Sequence, residues 1–136
     1  MSAADNVQTV KDIYAAFKRG DRNAMIANCT ENVELTLDIG VGEIPWSGTY
    51  QGHAGVEAQQ DLLAEHADIT AFDQLDFLAS EAQVAVVSSA EMVIKKNGQT
   101  ISLPRYVQTM TFDTTGKLAL VCEAYDPTSL LAALRS

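Results

Sequence analysis

One carboxylate stranded in an apolar strand is the side chain of this protein best suited to proton transfer. From Leu118 to Tyr125 the residues alternate, with Leu118, Leu120, Cys122 and Ala124 on one face and Ala119, Val121, Glu123 and Tyr125 on the other. Both faces are largely apolar, so the strand is expected to be covered on both sides. A buried acid must be paired, hydrogen-bonded or protonated, and the last state is the one that proton-transfer sites exploit. The preceding strand, joined to this one through Asp113-Thr-Thr-Gly116, carries Tyr106 and Gln108 at matching parity. Together these residues make a polar cluster inside an apolar sheet. The competing reading of Glu123 is an ion pair with Arg105 or with a neighbouring chain.

The other reactive side chains form no second constellation. His53 and His66 have no Asp or Glu at ligand spacing, so no metal site is expected. His53, beside glycines at a helix start, reads as capping or exposed, and His66 as a partner of a helix dipole. Cys29 and Cys122 give neither metal spacing nor a disulfide framework and read as core thiols. Asp126 precedes Pro127 and reads as a helix cap. Trp46 is the only tryptophan, in a loop rich in Gly, Pro and Ser, where it suits a cavity wall or lid.

Charge narrows the partners. The chain has 18 acidic and nine basic residues, a formal net charge of −9, and its cations are scattered. Nucleic acid, whose binding rests on neutralised phosphates, is not an expected partner, nor is an anionic membrane surface. No apolar run approaches the ~20 residues of a membrane span, and the N-terminus lacks the pattern of a signal peptide. A cytoplasmic location is therefore expected. The 136 residues fit one domain, spanning 1–136, with a substantial core.

Positioning Glu123 requires a sheet and something to cover it. Val7, Val10, Ile13, Tyr14 and Phe17 recur at three- and four-residue spacing, which predicts a helix from Ser2 to Arg19 ending at Gly20. A short helix over Arg22 to Cys29 follows. Strict alternation from Asn32 to Ile39 predicts a half-buried strand. Gly40 to Gly52 reads as loop, and a third helix runs from His53 to about His66. Four strands are expected over Ile69–Leu78, Gln83–Ile94, Gln99–Phe112 and Lys117–Tyr125, with Asn97-Gly98 as a primed hairpin turn. A short amphipathic helix with Leu130, Leu131 and Leu134 inward closes the chain. Helices, a strand, a helix and then a meander imply an α+β domain, with helices packed on one side of a curved sheet.

Three strings carry a family resemblance: Tyr14-Ala-Ala-Phe-Lys-Arg-Gly-Asp21, Trp46-Ser-Gly-Thr-Tyr-Gln-Gly-His-Ala-Gly-Val56 and Gly116-Lys-Leu-Ala-Leu-Val-Cys-Glu-Ala-Tyr-Asp126. Together they resemble the SnoaL-like branch of the nuclear transport factor 2-like superfamily, which includes polyketide cyclases and ketosteroid isomerases. The resemblance implies a cone-shaped domain whose curved, mixed or antiparallel sheet and N-terminal helices enclose an apolar pocket. It also implies a homodimer built on the outer sheet face. Val121, Glu123 and Tyr125 would then face the pocket, with Tyr106, Gln108 and Met110 opposite and Phe17 on the covering helix. Leu118, Leu120 and Cys122 would be buried without facing it.

Residue by residue, the chain departs from the ketosteroid isomerases. Leu37 stands where they place a proton-shuttling Asp, and Asp38 is one residue off, on the opposite face unless a bulge turns it inward. Their oxyanion-binding Tyr and protonated Asp match Ile13, with Tyr14 adjacent, and Gln108. The Asp-Arg-Asp set of limonene-epoxide-hydrolase-like enzymes is missing, since Tyr106 and Gln108 occupy two of its positions. What remains is an isomerase or cyclase acting on an apolar carbonyl compound, in which Glu123 moves the proton, Gln108 and Tyr14 hold the oxyanion, and Trp46, Tyr106 and Tyr125 sandwich the ligand. No cofactor is needed for such chemistry, and none is expected. The alternative is a domain that binds an apolar small molecule, or only dimerises, without turnover.

Overall fold

The computed structural model describes all of residues 1–136. Ten elements follow in order: α1 (Ala3–Lys18), α2 (Arg22–Ala27), β1 (Cys29–Leu37), β2 (Gly48–Gln51), α3 (Gly52–His66), β3 (Ala67–Ala79), β4 (Gln83–Ile94), β5 (Thr100–Phe112), β6 (Leu118–Ala124) and α4 (Thr128–Leu134). The strands form one open sheet in the order β2-β1-β6-β5-β4-β3. It is antiparallel except where β1 runs parallel to β6. The α+β class and the covered, curved sheet thus stand as the sequence implies.

Local chemistry explains most boundaries. Ser2 and Asp5 form a reciprocal capping box at the start of α1, satisfying two orphan backbone donors. Gly20, at φ +71°, ends the following turn in the left-handed conformation that a side chain would disfavour. Asp21 then caps α2 through the Ala24 amide at 3.0 Å. The short strand β2 lies inside the stretch expected to be loop. Its four residues carry too little alternation to be legible, and its pairing with β1 holds it. The turn at Asn97-Gly98 is not primed. Only Gly98 has positive φ, whereas a type I′ turn needs it at both central residues, and the loop instead closes through Gly98 N to Ile94 O at 2.8 Å.

Bulges aim the inner face. Along β4, Val84, Val86, Ser88, Ala90, Met92 and Ile94 are all buried, an unbroken period of two. On β5 the inward residues are Ile101 and Leu103, then Tyr106 and Met110, because Ser88 pairs with Tyr106 while Ala90 pairs with Leu103. One residue on β4, Ser89, therefore opposes two on β5, Pro104 and Arg105. The extra residue falls at Pro104-Arg105, where a proline lacking its amide hydrogen costs no ladder bond. This bulge switches the parity of β5 and brings Tyr106 and Gln108 onto the inner face.

The parity expected of Leu118 does not hold. It is 3% exposed and faces inward together with Val121, because the β5–β6 register slips between Thr111 and Phe112. Leu120 and Cys122, as expected, do not face inward. Cys29 opens β1 rather than ending α2. No helix of the fold is long and apolar enough to cross a membrane.

Candidate functional site

Two apolar clusters flank the inner face. One joins α1, α2 and the β1/β6 side through residues such as Val10, Ile13, Val33 and Val121. The other joins α4, Trp46 and the far ends of β4 and β5. Between them lies a cavity of about 150 Å³. Among its lining residues only Gln59, Gln60, Gln108 and Glu123 are not hydrophobic, and no Lys, Arg, His or Asp reaches it.

The structure brings together nine of the ten residues singled out from sequence. Tyr14 and Phe17 enter from α1, Tyr106, Gln108 and Met110 from β5, Val121 and Glu123 from β6, Tyr125 just beyond it, and Trp46 from the loop before β2. Asp38 is the exception and is corrected. It is exposed and lies one residue past the end of β1, whereas Leu35 and Leu37 line the cavity. The paired end of β1 stays regular, Leu35 opposite Tyr50 and Leu37 opposite Gly48, so no bulge turns Asp38 inward.

A directed hydrogen-bond chain runs through the site. The Tyr14 hydroxyl donates to Gln108 Oε1. Gln108 Nε2 in turn donates to Glu123 Oε1 at 3.0 Å. The register supports this, since Gln108 and Glu123 are direct cross-strand partners. Arg105 is exposed and makes no ion pair with Glu123, nor does any other cation.

Glu123 keeps a little surface, which opens to the hollow, yet protein closes round its carboxyl. Burial raises its pKa from 4.5 to about 7, and the amide of Gln108 only partly offsets this by favouring the carboxylate. The three phenols around it respond to the same surroundings. Burial first, and the Glu123 charge second, hold Tyr14 and Tyr106 well above the ordinary tyrosine range and push Tyr125 up to about 12. All three are therefore protonated hydrogen-bond donors at neutral pH.

A proton count then separates their roles. Tyr14 has one proton and gives it to Gln108, so its hydroxyl can offer a ligand only lone pairs. The hydroxyls of Tyr106 and Tyr125 make no hydrogen bond of ordinary geometry, although Ser88 stands close to the first and Ser47 to the second, and both residues line the cavity.

Phe72 and Ser88, both beside the phenols, are among the residues of the site not anticipated. Phe72 on β3 is a hub of the aromatic wall, with ring centroids 5.3 Å from Tyr14, 5.6 Å from Phe17 and 6.3 Å from Tyr106. A signal for it exists in the Ala71-Phe72 step of a strand otherwise alternating with Asp, but bulges in β3 obscure its face. Ser88 is fully buried beside the phenols of Tyr14 and Tyr106, and its hydroxyl makes no hydrogen bond of ordinary geometry. Its place in the inward period of β4, among Val84, Val86 and Ala90, was the available clue.

Comparison with known proteins agrees with this architecture. The SnoaL-like domain model matches residues 10–121. An NTF2-like protein from Burkholderia xenovorans LB400 is 32% identical with a TM-score of 0.85, over 100% of this chain and 99% of its own. TerC, co-crystallised with polyporic acid, is 20% identical with a TM-score of 0.83, over 97% of this chain and 99% of its own. RV0760c from Mycobacterium tuberculosis, in complex with estradiol-17beta-hemisuccinate, is 16% identical with a TM-score of 0.75, over 93% and 95%. No curated protein matches the chain. With the family model matched over residues 10–121, well over half of its length, the chain belongs to the SnoaL-like domain family.

Proposed function

We propose that the cavity takes an apolar carbonyl compound and that Glu123 transfers a proton next to its carbonyl, as an isomerase or cyclase needing no cofactor. The observation that carries this reading is a desolvated carboxylate without a cation, poised near neutrality at the wall of an apolar hollow. In its ionised form Glu123 takes a proton from the carbon beside the carbonyl. The electron pair moves onto the carbonyl oxygen, which Tyr106 stabilises by donating its uncommitted O–H. Glu123, now a carboxylic acid, returns the proton to a different carbon of the delocalised anion and completes an isomerisation. Tyr14 acts through Gln108, which orients the carboxylate. Trp46, Phe17, Met110, Val121 and Tyr125 enclose the apolar body. The ligands held by TerC and RV0760c support an organic occupant for this cavity.

The test uses a simple ring ketone, 2-tetralone, in D₂O, followed by proton NMR. The wild-type protein is expected to accelerate exchange of the hydrogens beside the carbonyl, and Glu123→Gln to lose about 10²- to 10⁴-fold of that acceleration. Equal exchange by both proteins contradicts the assignment. A second reading, binding without turnover, draws on Leu37 at the end of β1, which lines the cavity at the position where the resemblance to ketosteroid isomerases places their base. Saturable binding of the ketone with no exchange above background favours it.

A further inference from the structure

The cavity has a second polar pole that the proton-transfer chemistry does not use. On α3, Val56, Gln59, Gln60 and Leu63 line the hollow at i, i+3, i+4 and i+7, the spacing of a core-facing stripe. Two amides occupy the middle of that stripe, where aliphatic side chains are the ordinary choice. Gln59 is only 5% exposed. Its Oε1 accepts from Gln60 Nε2 at 2.8 Å, which fixes the direction of the amide. Its Nε2 donates to nothing in the protein, yet it is not among the sealed, unpartnered polar atoms, so it opens to the cavity. Burying an amide without partners is costly, and a ligand oxygen would remove that cost.

The pole adjoins the mouth through Gln60, while Gln59 itself lines only the inner cavity. Phe17, Met25, Gln60, Leu63 and Ile69 line both the inner cavity and an outer groove between the α1–α2 corner and α3. Glu123, Gln108, Tyr14 and Tyr106 line only the inner cavity. Polar groups therefore stand at two places in the apolar hollow, the deeper one on the sheet and the other on α3 beside the mouth. The deeper place has an acceptor, Glu123, beside a donor, Tyr106, and the one on α3 has a donor alone.

We propose that Gln59 is a specificity-determining residue and that the ligand is bipolar: an apolar ring body with a hydroxyl or enolisable carbonyl at the Glu123 end and a hydrogen-bond acceptor oxygen at the Gln59 end. This rests on the pocket reading given above. It adds that a compound with oxygen at one end only is a poor ligand. Gln60 is a positioning residue, because its amide holds Gln59 with the nitrogen toward the hollow.

The experiment compares two probes by quenching of Trp46 fluorescence, the residue being unique and on the cavity wall. The probes are 2-naphthol, with one oxygen, and 6-acetyl-2-naphthol, which adds a carbonyl at the opposite end. Wild-type protein is expected to bind the second about three- to tenfold tighter, the contribution of one hydrogen bond. In Gln59→Leu the ratio of the two affinities falls to about one, and in Gln60→Ala it falls part of the way, whereas a merely structural role would weaken both probes together and keep the ratio. Equal affinities in the wild type, or a ratio preserved in Gln59→Leu, overturn the second pole while leaving the pocket intact. Failure of both probes to bind wild-type protein overturns the pocket reading itself, and this inference with it.

Discussion

Replacing Glu123 by Gln tests the energetics of the site without reference to any ligand. Burial raises the carboxyl from 4.5 to about 7 in the folded protein, while the unfolded chain titrates near the lower value. Between these pH values the folded protein holds a proton that the unfolded chain has released. Stability from this group is therefore fully present below about pH 4.5 and is lost as pH rises through about 7. At 1.36 kcal/mol per pH unit the gap corresponds to about 3 kcal/mol. The Gln variant keeps the shape and can still accept from Gln108 but carries no charge at any pH. Urea unfolding of both proteins should give nearly equal stabilities at about pH 5, with the variant ahead by about 2–3 kcal/mol at about pH 8. Asp5, Asp113 and Asp126 have lowered pKa values and act in the opposite sense at lower pH, but they are common to both proteins and cancel in the difference. A stability difference that does not change between those pH values would refute the reasoning, because it would mean a solvated carboxylate.

Exchange of 2-tetralone hydrogens should rise with pH through about 7 and level off above it, since the ionised form of Glu123 is the base; a rate that falls over that range contradicts the role. Tyr14→Phe removes the donor to Gln108 Oε1 and should cost about 1 kcal/mol in urea unfolding, with a non-additive effect when combined with Glu123→Gln. Ser88→Ala removes a sealed hydroxyl without a partner, so thermal unfolding should show a neutral or stabilised protein, by up to about 1–2 kcal/mol. On the outer face of the sheet, Val87, Val107, Leu120 and Cys122 are half-buried, and we propose that the homodimer implied by the family resemblance would use this face; sedimentation should then give twice the 14.6 kDa chain mass, and Val107→Lys should give the single mass.

The Glu123 cluster was legible because a strand's period of two leaves no ambiguity once its turn is found. Glu123 and Gln108 sit on adjacent strands joined by the Asp113–Gly116 turn, and a register slip between Thr111 and Phe112 sets them directly opposite each other. Tyr106 was placed on the right face for an incomplete reason, since its orientation depends on the bulge at Pro104-Arg105, which shifts β5 by one residue relative to β4. Leu118 was misplaced for the same kind of reason, a register slip no local pattern announces. Phe72 and Ser88 escaped notice because their roles are tertiary: an aromatic wall shared by three elements and a hydroxyl facing two phenols. Gln59 and Gln60 escaped because a polar residue on a helix is ordinarily solvated, and only packing reveals that α3 turns them inward. Direction along the Tyr14–Gln108–Glu123 chain is likewise a property of the folded site.

The most direct measurement is the titration of Glu123 itself, by carbon-13 NMR of its side-chain carboxyl in the folded protein. A midpoint near 7 is the result expected of a desolvated acid held by one amide. A midpoint at its ordinary value of 4.5 would show that water reaches the carboxyl freely, and the proton-transfer reading of the cavity would fall with it.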